Sequence, residues 1–594
     1  MKCNATWITL TISSYFVLSI GCSYTPPQSN GSGGQGGNAA SSSSGTGGDG
    51  GTAGAGGTGG IAGAGGQAGG GGSPPCVDKE VRSCYGGPFP AKGKGLCQPV
   101  EQTCEDGVWP ECKGFVVPTS EACASQDDTN CDGFVGCTGT AIKAQSELTP
   151  GDDMILAMVT TPAEGGFDGV SYAVGIRNAL IQNLLADVPP TSSQVLFWRR
   201  QRLGGVNDWS GQFSFMPFQP GAGTAYGTGV AYNTTTDEII VVGVTNNGLL
   251  AAMGQAPLAL TLKNGFLTVF SINGTAKFIK AIGNPAEAGD TVEARAVAVD
   301  SSGNIYVVGH YTGSINFGGQ MDAPTGAGRD GFIVSYTSTG MFRWQTFFTG
   351  AGDQSVDAIR INENNEIFIA ARFADTVAFN AGVVTASGAN DILLARILDS
   401  NNPSEAGSAL WSVTVGGDQD DLVGGLAAST HAVYLSGMFR GNIVLGPSSV
   451  QSTDTSPFWD TYVAQFSTAK GEASNAFPMV HAGTQAIRSI AIDSFGDVVV
   501  AGAFSSSLPT NVGALFTTGA NDFDAFAMKL DGKLTPRWAT DFGDTLLQVA
   551  PAVVIGSTTG HVIIGGGFQS TLTGIPNPPS NTGDFDAFTA ELAN

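Results

Sequence analysis

Charged side chains are scarce in this sequence, and positive charge is scarcer than negative. Only 13% of the 594 residues are charged, with 26 Lys and Arg against 50 Asp and Glu, which gives a formal net charge of −24. Nucleic acids are polyanions, so they would be repelled by a chain of this charge. We therefore expect no nucleic-acid partner, whereas divalent cations remain compatible with the composition.

Sequence motifs of catalysis are also lacking. The chain contains no G-x-S-x-G, no H-E-x-x-H and no Walker loop, and no cysteine follows Cys137. The four histidines, at positions 310, 431, 481 and 561, have no metal-ligand spacing and are expected at turns or on the surface. The sequence thus identifies no catalytic residue, although an enzyme can assemble its site from single residues that lie far apart in the sequence.

The first 22 residues have the features of an export signal. One Lys is followed by an apolar run and then Gly21-Cys22, a pattern typical of a secretory signal rather than of a spanning helix. The end Leu18-Ser19-Ile20-Gly21-Cys22 resembles bacterial lipoprotein signals, although Ser19 stands where Leu is usual. The resemblance implies lipidation of Cys22 and an outer-membrane or cell-surface protein. Ordinary cleavage would instead give a secreted protein.

Residues 23–75 are almost entirely Gly, Ser, Ala and Thr. Such a segment has too little apolar surface to offset the entropy of ordering, so we predict a disordered tether. As a flexible coil of about 50 residues it would span about 40 Å on average.

Residues 76–138 form a cysteine-rich segment. Its eight cysteines in an exported chain predict four disulfides, of undetermined pairing, and zinc is disfavoured because the segment has no C-x2-C pair and no His. These cysteines are Cys76, Cys84, Cys97, Cys104, Cys112, Cys123, Cys131 and Cys137. Cys84-Tyr85-Gly86-Gly87-Pro88 and Asn130-Cys131-Asp132-Gly133 are among the motifs by which it resembles a segment of myxobacterial lipoproteins that is described as metal-binding.

A half calcium loop lies in this segment. Asp128, Asn130 and Asp132 precede Gly133 with the spacing of the first half of a calcium loop, but Gly139 occupies the twelfth position, where a bidentate Glu is required. Calcium is the only cofactor that the sequence suggests, with Glu121 as a possible further ligand. An Asx-rich turn held by disulfides is the structural alternative.

The rest of the chain, residues 139–594, is a repeat array. Hairpin-like segments such as residues 294–311 recur about 65 residues apart, which indicates a stacked supersecondary unit. They align at Gly243, Gly309, Ala371, Gly437, Gly502 and Gly566. A second hairpin follows each of them, as in residues 329–348, and no helical periodicity competes over any comparable length. Four antiparallel strands per repeat predict an all-β fold, a β-propeller, with a parallel β-helix as the alternative.

Residues 226–594 resemble the SBBP-type β-propeller repeat family. The resemblance is carried by Asp524-Ala525-Phe526-Ala527-Met528-Lys529-Leu530-Asp531-Gly532 with Trp538, by Gly416-Gly417-Asp418, and by Val299-Asp300 with Gly303-Asn304-Ile305-Tyr306-Val307-Val308-Gly309. It implies the propeller fold and no particular activity. Seven blades are favoured over six, with residues 141–161 as a degenerate hairpin. A strand near Trp198 is expected to complete the last blade.

Several recurring residues are candidates for structural roles. Acidic residues recur before each second hairpin and are expected to accept backbone hydrogen bonds rather than to bind metal. They are Asp330, Asp391, Asp460, Asp524 and Asp586. The tryptophans at 198, 344, 411 and 538 are expected to pack between blades. Residues 206–224 depart most from the repeat, so that insertion is the first place to seek a special site.

These observations favour a lipid-anchored cell-envelope protein whose propeller binds an unidentified protein or glycan. The alternative is a propeller hydrolase or lyase that acts on extracellular polysaccharide.

Overall fold

Short alternating segments of this chain form β-strands, as their period of two requires. The computed structural model describes residues 77–594 except for 86–91, 107, 111, 120, 124, 132, 148–150, 163–170, 180–193, 201–208, 211–213, 218–223, 247, 252–257, 261–262, 273, 284–288, 320–327, 380–381, 403, 447, 453–457, 511, 518–521, 558 and 581–584. Cys22, Cys76, Asp132 and the predicted tether lie outside the described residues. No helix long and apolar enough to cross a bilayer occurs in the described part of the chain.

Six sheets have four antiparallel strands, and a seventh has six strands, of which the first four repeat the same order. We number these seven sheets as blades in the order of their first strands. Blade 1 comprises Asp152–Thr160, Ser171–Ala179, Gln194–Arg200 and Trp209–Ser210; blade 2 comprises Thr224–Asn233, Glu238–Asn246, Asn264–Ser271 and Ala276–Ile282; blade 3 comprises Thr291–Val299, Ile305–Thr312, Asp330–Tyr336 and Phe342–Phe348.

Blade 4 comprises Gln354–Ile361, Ile367–Phe379, Gly382–Ile397 and Ala409–Gly417; blade 5 comprises Asp421–Ala428, Ala432–Phe439, Asp460–Ser467 and Ala473–Met479. Blade 6 comprises Gln485–Ile492, Val498–Phe504, Asp524–Leu530 and Pro536–Phe542; blade 7 comprises Gln548–Ile555, Val562–Phe568, Asp586–Leu592 and Ala141–Glu147. The predicted all-β propeller is confirmed, and the seven sheets agree with the favoured blade number.

The blades form a closed ring. The first strand of every blade contacts the first strand of the next, and the first strand of blade 7 contacts that of blade 1. These strands therefore surround the central channel. Closure also removes the exposed sheet edges that an open array would leave at its two ends.

Two predictions about closure are wrong in detail. The last blade is completed by Ala141–Glu147, which pairs with Asp586–Leu592, and not by the strand around Trp198. That strand, Gln194–Arg200, is the third strand of blade 1. Residues 141–161 are not one hairpin, because Asp152–Thr160 begins blade 1 instead. The first 20 residues of the propeller are thus shared between two neighbouring blades, a division that the alternating pattern of residues 141–161 does not indicate.

Backbone and apolar contacts join neighbouring blades. The first-strand N–H of Gln354, Gln485 and Gln548 donates to the carbonyl oxygen just before the third strand of the preceding blade, at 2.7 Å in each case. Buried aliphatic and aromatic side chains fill each seam; Val356, Ile369 and Leu393 of blade 4, for example, pack against Val308 and Ile333 of blade 3. Burial of such side chains is the main stabilising term of the fold.

Smaller sheets decorate the ring. Asn442–Leu445 and Ser448–Gln451 extend the sheet of blade 4, and Ser507–Thr510 pairs with Gly513–Phe516. Ser214–Pro217, Gly248–Ala251 and Leu258–Leu260 form a three-stranded sheet. The insertion at 206–224 therefore supplies the fourth strand of blade 1, one strand of this small sheet and, at Thr224, the start of blade 2. Its other residues lie outside the described part of the chain.

The cysteine-rich segment packs onto blades 6 and 7. It contains one hairpin, Val81–Cys84 with Val100–Thr103. The Thr138 N–H donates to the Asn594 carbonyl at 2.8 Å, and the Asn594 side-chain amide donates to the Glu121 carbonyl at 3.0 Å. Directly after the segment, Gly139 packs closely against Trp538, since a Cβ on Gly139 would be 2.5 Å from the indole ring. The segment thus covers the place where the ring closes.

Candidate functional site

Every innermost strand carries a β-bulge at the same height in the ring. In each blade, the pairing of the first two strands shifts register and leaves at least one first-strand residue without a partner. The unpaired residues, each partly exposed, are Leu156, Thr228, Arg295, Asp357, Gly424, Arg488 and Pro551. Bulges re-aim side chains and are common next to functional sites, and here each of them lies on a strand that borders the channel.

The bulges also explain the recurring glycine of the repeat. Gly309 lies opposite the bulge at Arg295, and a Cβ on it would be 1.9 Å from the Glu293 carbonyl oxygen. Gly502 stands in the same relation to the Ala486 carbonyl, also at 1.9 Å. The periodic glycine is therefore the sequence signal of the channel lining, since it marks where the neighbouring strand bulges.

Charged residues meet where blades 3 and 4 adjoin. Arg295 and Asp357 are the bulged residues of these two blades. Glu293, two positions before Arg295, forms ion pairs with Lys263 and with Arg295, the latter at 3.8 Å. Arg372 lies 3.7 Å from Asp357. Three cationic and two anionic side chains therefore form a mixed cluster on a chain whose net charge is strongly negative.

A buried histidine contacts two residues of this region of the structure. His310 is 1% exposed, and its Nδ1 lies 3.2 Å from Ser355 Oγ while its Nε2 lies 3.5 Å from Glu293 Oε1. Ser355 Oγ is 2.6 Å from Asp357 Oδ1. A carboxylate can only accept, so the Ser355 hydroxyl donates to Asp357, and the single N–H of a neutral His310 ring is left to serve Glu293. The chain of contacts fixes the orientation of Asp357 through groups that solvent does not reach.

The electrostatics keep Glu293 ionised and disfavour the charged form of His310. Burial alone would raise the pKa of Glu293, but the hydrogen bond with His310 and the charges of Arg295 and Lys263 hold it well below its usual range. Burial lowers the pKa of His310. A negative group therefore remains beneath Arg295 throughout the physiological pH range.

The side chains of this cluster are better suited to binding a ligand than to covalent catalysis. Ser355, His310 and Glu293 follow the order of a nucleophilic triad, but Ser355 is 2% exposed and donates its proton to Asp357. The side chains with more access to solvent are Lys263, Arg295, Asp357 and Arg372. Guanidinium groups bind carboxylates through paired hydrogen bonds, and carboxylates accept hydrogen bonds from sugar hydroxyls.

The histidine prediction was wrong for His310, which is buried in this cluster. His561 lies in the turn between two strands of blade 7, as predicted, although it is 1% exposed with its Nδ1 2.8 Å from Glu591 Oε1. His310 pairs with Glu293 in its own hairpin but also contacts Ser355 of the next blade, and the position of a histidine within the repeat gave no signal for that second contact. The register of the bulges could have drawn attention to Arg295 and Asp357.

The recurring acidic residues are buried at the start of the third strands. Asp391 accepts from the Ser387 N–H at 2.9 Å, and Asp460 accepts from the His481 N–H at 3.0 Å. Both residues accept a backbone hydrogen bond, as predicted. Trp344 and Trp538, each 5% exposed, pack in the cores between blades as predicted.

Three disulfides cross-link the cysteine-rich segment: Cys84–Cys112, Cys97–Cys131 and Cys123–Cys137. Cys104 is disulfide-bonded as well, and Cys76 lies outside the described residues. Cys123 Sγ lies 3.4 Å from Asp497 Oδ2 of blade 6. Because Cys123 and Cys137 are bonded to each other, their sulfurs do not act as thiolate ligands beside that carboxylate.

The predicted calcium loop has a restricted donor set. Asp128 Oδ2 accepts from the Gly133 N–H at 3.0 Å, as in an Asx-type turn. Glu121 is 1% exposed, and its two carboxylate oxygens accept from the backbone N–H groups of Thr129 and Gly136. Glu121 therefore organises the loop backbone. Asp128 and Asn130 remain the side chains that could contribute to a cation among the described residues.

Sequence and structure comparisons identify the repeat without an activity. A family model described as a beta-propeller repeat, SBBP, matches residues 279–316. No curated protein sequence matches this chain.

The solved structures that are similar to this chain have low sequence identity and low TM-scores. Sqt1 from Chaetomium thermophilum is 9% identical, with a TM-score of 0.33 over 73% of this chain and 97% of that chain. A quinohemoprotein alcohol dehydrogenase from Comamonas testosteroni is 10% identical, with a TM-score of 0.34 over 76% of each chain. A gluconolactonase from Xanthomonas campestris is 11% identical, with a TM-score of 0.28 over 64% of this chain and 89% of that chain.

Proposed function

We propose that this protein is an exported, lipid-anchored cell-envelope protein whose β-propeller binds a glycan that bears carboxylate groups. The binding site is the cluster of Arg295, Asp357 and Arg372 where blades 3 and 4 meet. The observation that supports this most directly is that Arg295 and Asp357 are the bulged residues on the innermost strands of two neighbouring blades.

The support for Asp357 favours binding with a fixed geometry. His310 and Ser355 hold one of its carboxylate oxygens, so little side-chain entropy remains to be lost when a ligand binds. Arg295 rests on Glu293 in a similar way. A preorganised site of this kind suits sugars, whose individual hydrogen bonds to protein are weak in water.

Binding can be tested with a panel of acidic and neutral polysaccharides and with envelope fractions. The chain should carry Cys22→Ala to avoid lipidation and should keep residues 76–138, because these contact blades 6 and 7. We expect binding to an acidic glycan that falls at least about tenfold in Arg295→Ala, corresponding to about 1.4 kcal/mol. Lys470→Ala, an exposed lysine whose side chain is 73% accessible, is the matched control. Equal binding by both variants would contradict the assigned site.

The lipid anchor requires its own test. Processing that is blocked by globomycin, together with palmitate labelling, should be lost in Cys22→Ala. Unchanged processing and labelling in that variant would remove the anchor from the proposal and leave a secreted protein.

A hydrolase or lyase acting on polysaccharide is the second candidate, favoured by two carboxylates and a histidine within one cluster. Glu293, Asp357 and His310 are connected through contacts of 3.5 Å or less. New reducing ends or unsaturated sugars after prolonged incubation, absent with Asp357→Asn, would support this alternative. Glycan binding without any reaction product would support a binding protein rather than an enzyme.

Calcium binding by the cysteine-rich segment stays part of the proposal. With Asp128, Asn130 and Asp132 as side-chain donors, we expect an affinity in the range of extracellular modules, with Kd about 10⁻⁴–10⁻³ M. Calorimetry of the full chain, compared with Asp128→Ala, measures it.

A further inference from the structure

The seam between blades 4 and 5 differs from its neighbours by one acidic residue. The first residue of the first strand is Gln in blades 4, 6 and 7, at positions 354, 485 and 548, whereas blade 5 has Asp421 there. The equivalence follows from the pairing, since Phe439 pairs with both Asp421 and Asp460 just as Phe373 pairs with Gln354 and Asp391. Asp421 therefore places a second carboxylate beside the buried Asp391 of blade 4.

Both carboxylates lie against one peptide unit. The Gly417 N–H donates to Asp421 Oδ2 at 2.8 Å, and a Cβ on Gly416 would be 2.5 Å from Asp391 Oδ1. Both residues are 0% exposed. Only a residue without a side chain fits between them, so the Gly416-Gly417 step is what allows the two carboxylates to approach.

Each carboxylate has one oxygen that no described residue serves. Asp391 Oδ2 accepts from the Ser387 N–H, and the Gly388 N–H and Ser387 hydroxyl also approach this carboxylate. Asp421 Oδ2 accepts from the Gly417 N–H, and neither Oδ1 atom has a hydrogen bond of normal geometry with a described residue. Neither residue forms an ion pair with a described lysine, arginine or histidine. The strongest charged neighbours of Asp421 are themselves acidic: Asp391, Asp420 and Asp418.

A tyrosine oxygen points to the same place. Tyr462 is 0% exposed, and its Oη also lacks a hydrogen-bond partner among the described residues. A Cβ on Gly437 would be 2.6 Å from this Oη and 2.8 Å from the carbonyl oxygen of Leu422, the residue after Asp421. The hydroxyl and this carbonyl thus flank the same glycine, and the charge of Asp421 acts on the Tyr462 hydroxyl. This third atom is neutral, so acidic composition alone does not account for the group.

Three fully buried oxygens without hydrogen-bond partners among the described residues need a proton or a cation to offset the cost of their burial. A buried carboxylate is strongly disfavoured unless it is paired, protonated or bound to a metal. Hard divalent cations take oxygen ligands alone, and calcium tolerates irregular coordination by carboxylates, neutral oxygens and water. Two carboxylates also match the charge of one divalent ion.

We propose that one calcium ion binds at the seam of blades 4 and 5 through Asp391 Oδ1 and Asp421 Oδ1, with Tyr462 Oη beside it. This site is separate from the predicted loop at Asp128, and it does not depend on the glycan site at blades 3 and 4. The ion joins a residue from the third strand of blade 4 to one from the first strand of blade 5, so it stabilises the contact between two blades.

The neighbouring blades supply the matched variant. Asp421→Gln installs the residue that blades 4, 6 and 7 already carry at this position, so it should fold. Full-length protein is unfolded in EDTA, refolded without metal and then heated over a calcium series. We expect calcium to raise the Tm of the natural chain by about 1–2 °C for each tenfold increase in calcium above its Kd. Asp421→Gln should melt higher than the natural chain in EDTA and should not respond to calcium through this site.

Two further variants separate the possible outcomes. Tyr462→Phe should keep the fold and weaken the calcium response, and Asp128→Ala should leave the response of this seam intact. Metal analysis of refolded, dialysed protein should find one more calcium in the Asp128→Ala chain than in Asp128→Ala combined with Asp421→Gln. An identical calcium response with and without Asp421→Gln would overturn the proposal. So would stability that is independent of calcium and rises only on acidification, which would show a shared proton instead.

Discussion

Blade 4 forms two seams with its neighbours, and they differ in the charges that surround a buried carboxylate. On the side of blade 3, the buried carboxylate of Glu293 is surrounded by Lys263, Arg295 and His310, and its pKa is held low. On the side of blade 5, burial and the charge of Asp391 raise the pKa of Asp421 to about 8. One repeat geometry can therefore hold a compensated or an uncompensated charge. Single residues, rather than the fold, decide which seam is suited to a ligand.

The largest change in the free energy of unfolding is expected in blade 6, where a buried lysine neutralises a buried carboxylate. Lys529 is 0% exposed and lies 2.7 Å from Asp493. Lys529→Met should lower the free energy of unfolding by about 3–5 kcal/mol, because Asp493 is left buried without its cation. Urea denaturation measures it, with the exposed Lys533→Met as control. A loss no greater than that of the control would show that buried ion pairs do not matter in this ring.

Glu293→Gln should have the next largest effect. It leaves Lys263 and Arg295 close together without the carboxylate between them, so we expect a loss of about 2–4 kcal/mol. Asp421→Gln in EDTA should change stability in the opposite direction. If both substitutions destabilise the chain equally, the contrast between the two seams does not exist.

Uncompensated carboxylates predict an unusual pH dependence. Burial and the charges of Asp522, Asp541 and Asp544 raise the pKa of Asp524 to about 8. Between about pH 4 and 8 the folded chain then holds a proton that the unfolded chain has released, so this contribution to stability falls as pH rises, by up to about 1.4 kcal/mol per pH unit. Asp524→Asn should remove that slope. Melting curves from pH 5 to 9 would contradict the prediction if both proteins gave parallel profiles.

Ser355→Ala should have a smaller effect on stability than on binding. The substitution removes one link between His310 and Asp357 and should cost about 1–2 kcal/mol. Asp357 would lose its fixed orientation, so affinity for an acidic glycan should fall while Arg295 remains in place. Ser355→Thr, which keeps the hydroxyl, is the control. Unchanged affinity in Ser355→Ala would show that the buried contacts do not support the binding site.

The smallest effect is expected at an exposed pair near the same cluster. Arg329 lies 3.1 Å from Asp353, with side chains that are 33% and 49% exposed. Water and salt screen such a pair, so Arg329→Ala should change the free energy of unfolding by less than about 1 kcal/mol. A larger loss in denaturation experiments would mean that this pair belongs to the buried network rather than to the surface.

Period and alternation predicted the propeller because each blade depends on local hairpins. The recurring glycine was visible in the sequence, but its cause was not, since the carbonyl that excludes a Cβ belongs to the neighbouring strand. Closure by Ala141–Glu147 was missed because the pairing joins distant parts of the chain. His310, Ser355 and Asp357 come from two blades, and no local pattern reports their contact. The spacing of the half calcium loop was visible in the sequence, but the backbone N–H groups that donate to Glu121 were not.

The pairing of Ala141–Glu147 with Asp586–Leu592 has a consequence for how the protein forms. Blades 2 to 6 consist of segments that follow one another along the chain, so each can assemble as soon as its own residues are available. Blade 7 requires segments from both sides of the array, and Cys137 and Asn594, 457 positions apart, meet at 3.7 Å beside it. Contacts of such large sequence separation form slowly. Sealing of the ring is therefore expected as the final step, and until then the open edges of blades 1 and 7 are where neighbouring molecules could exchange strands.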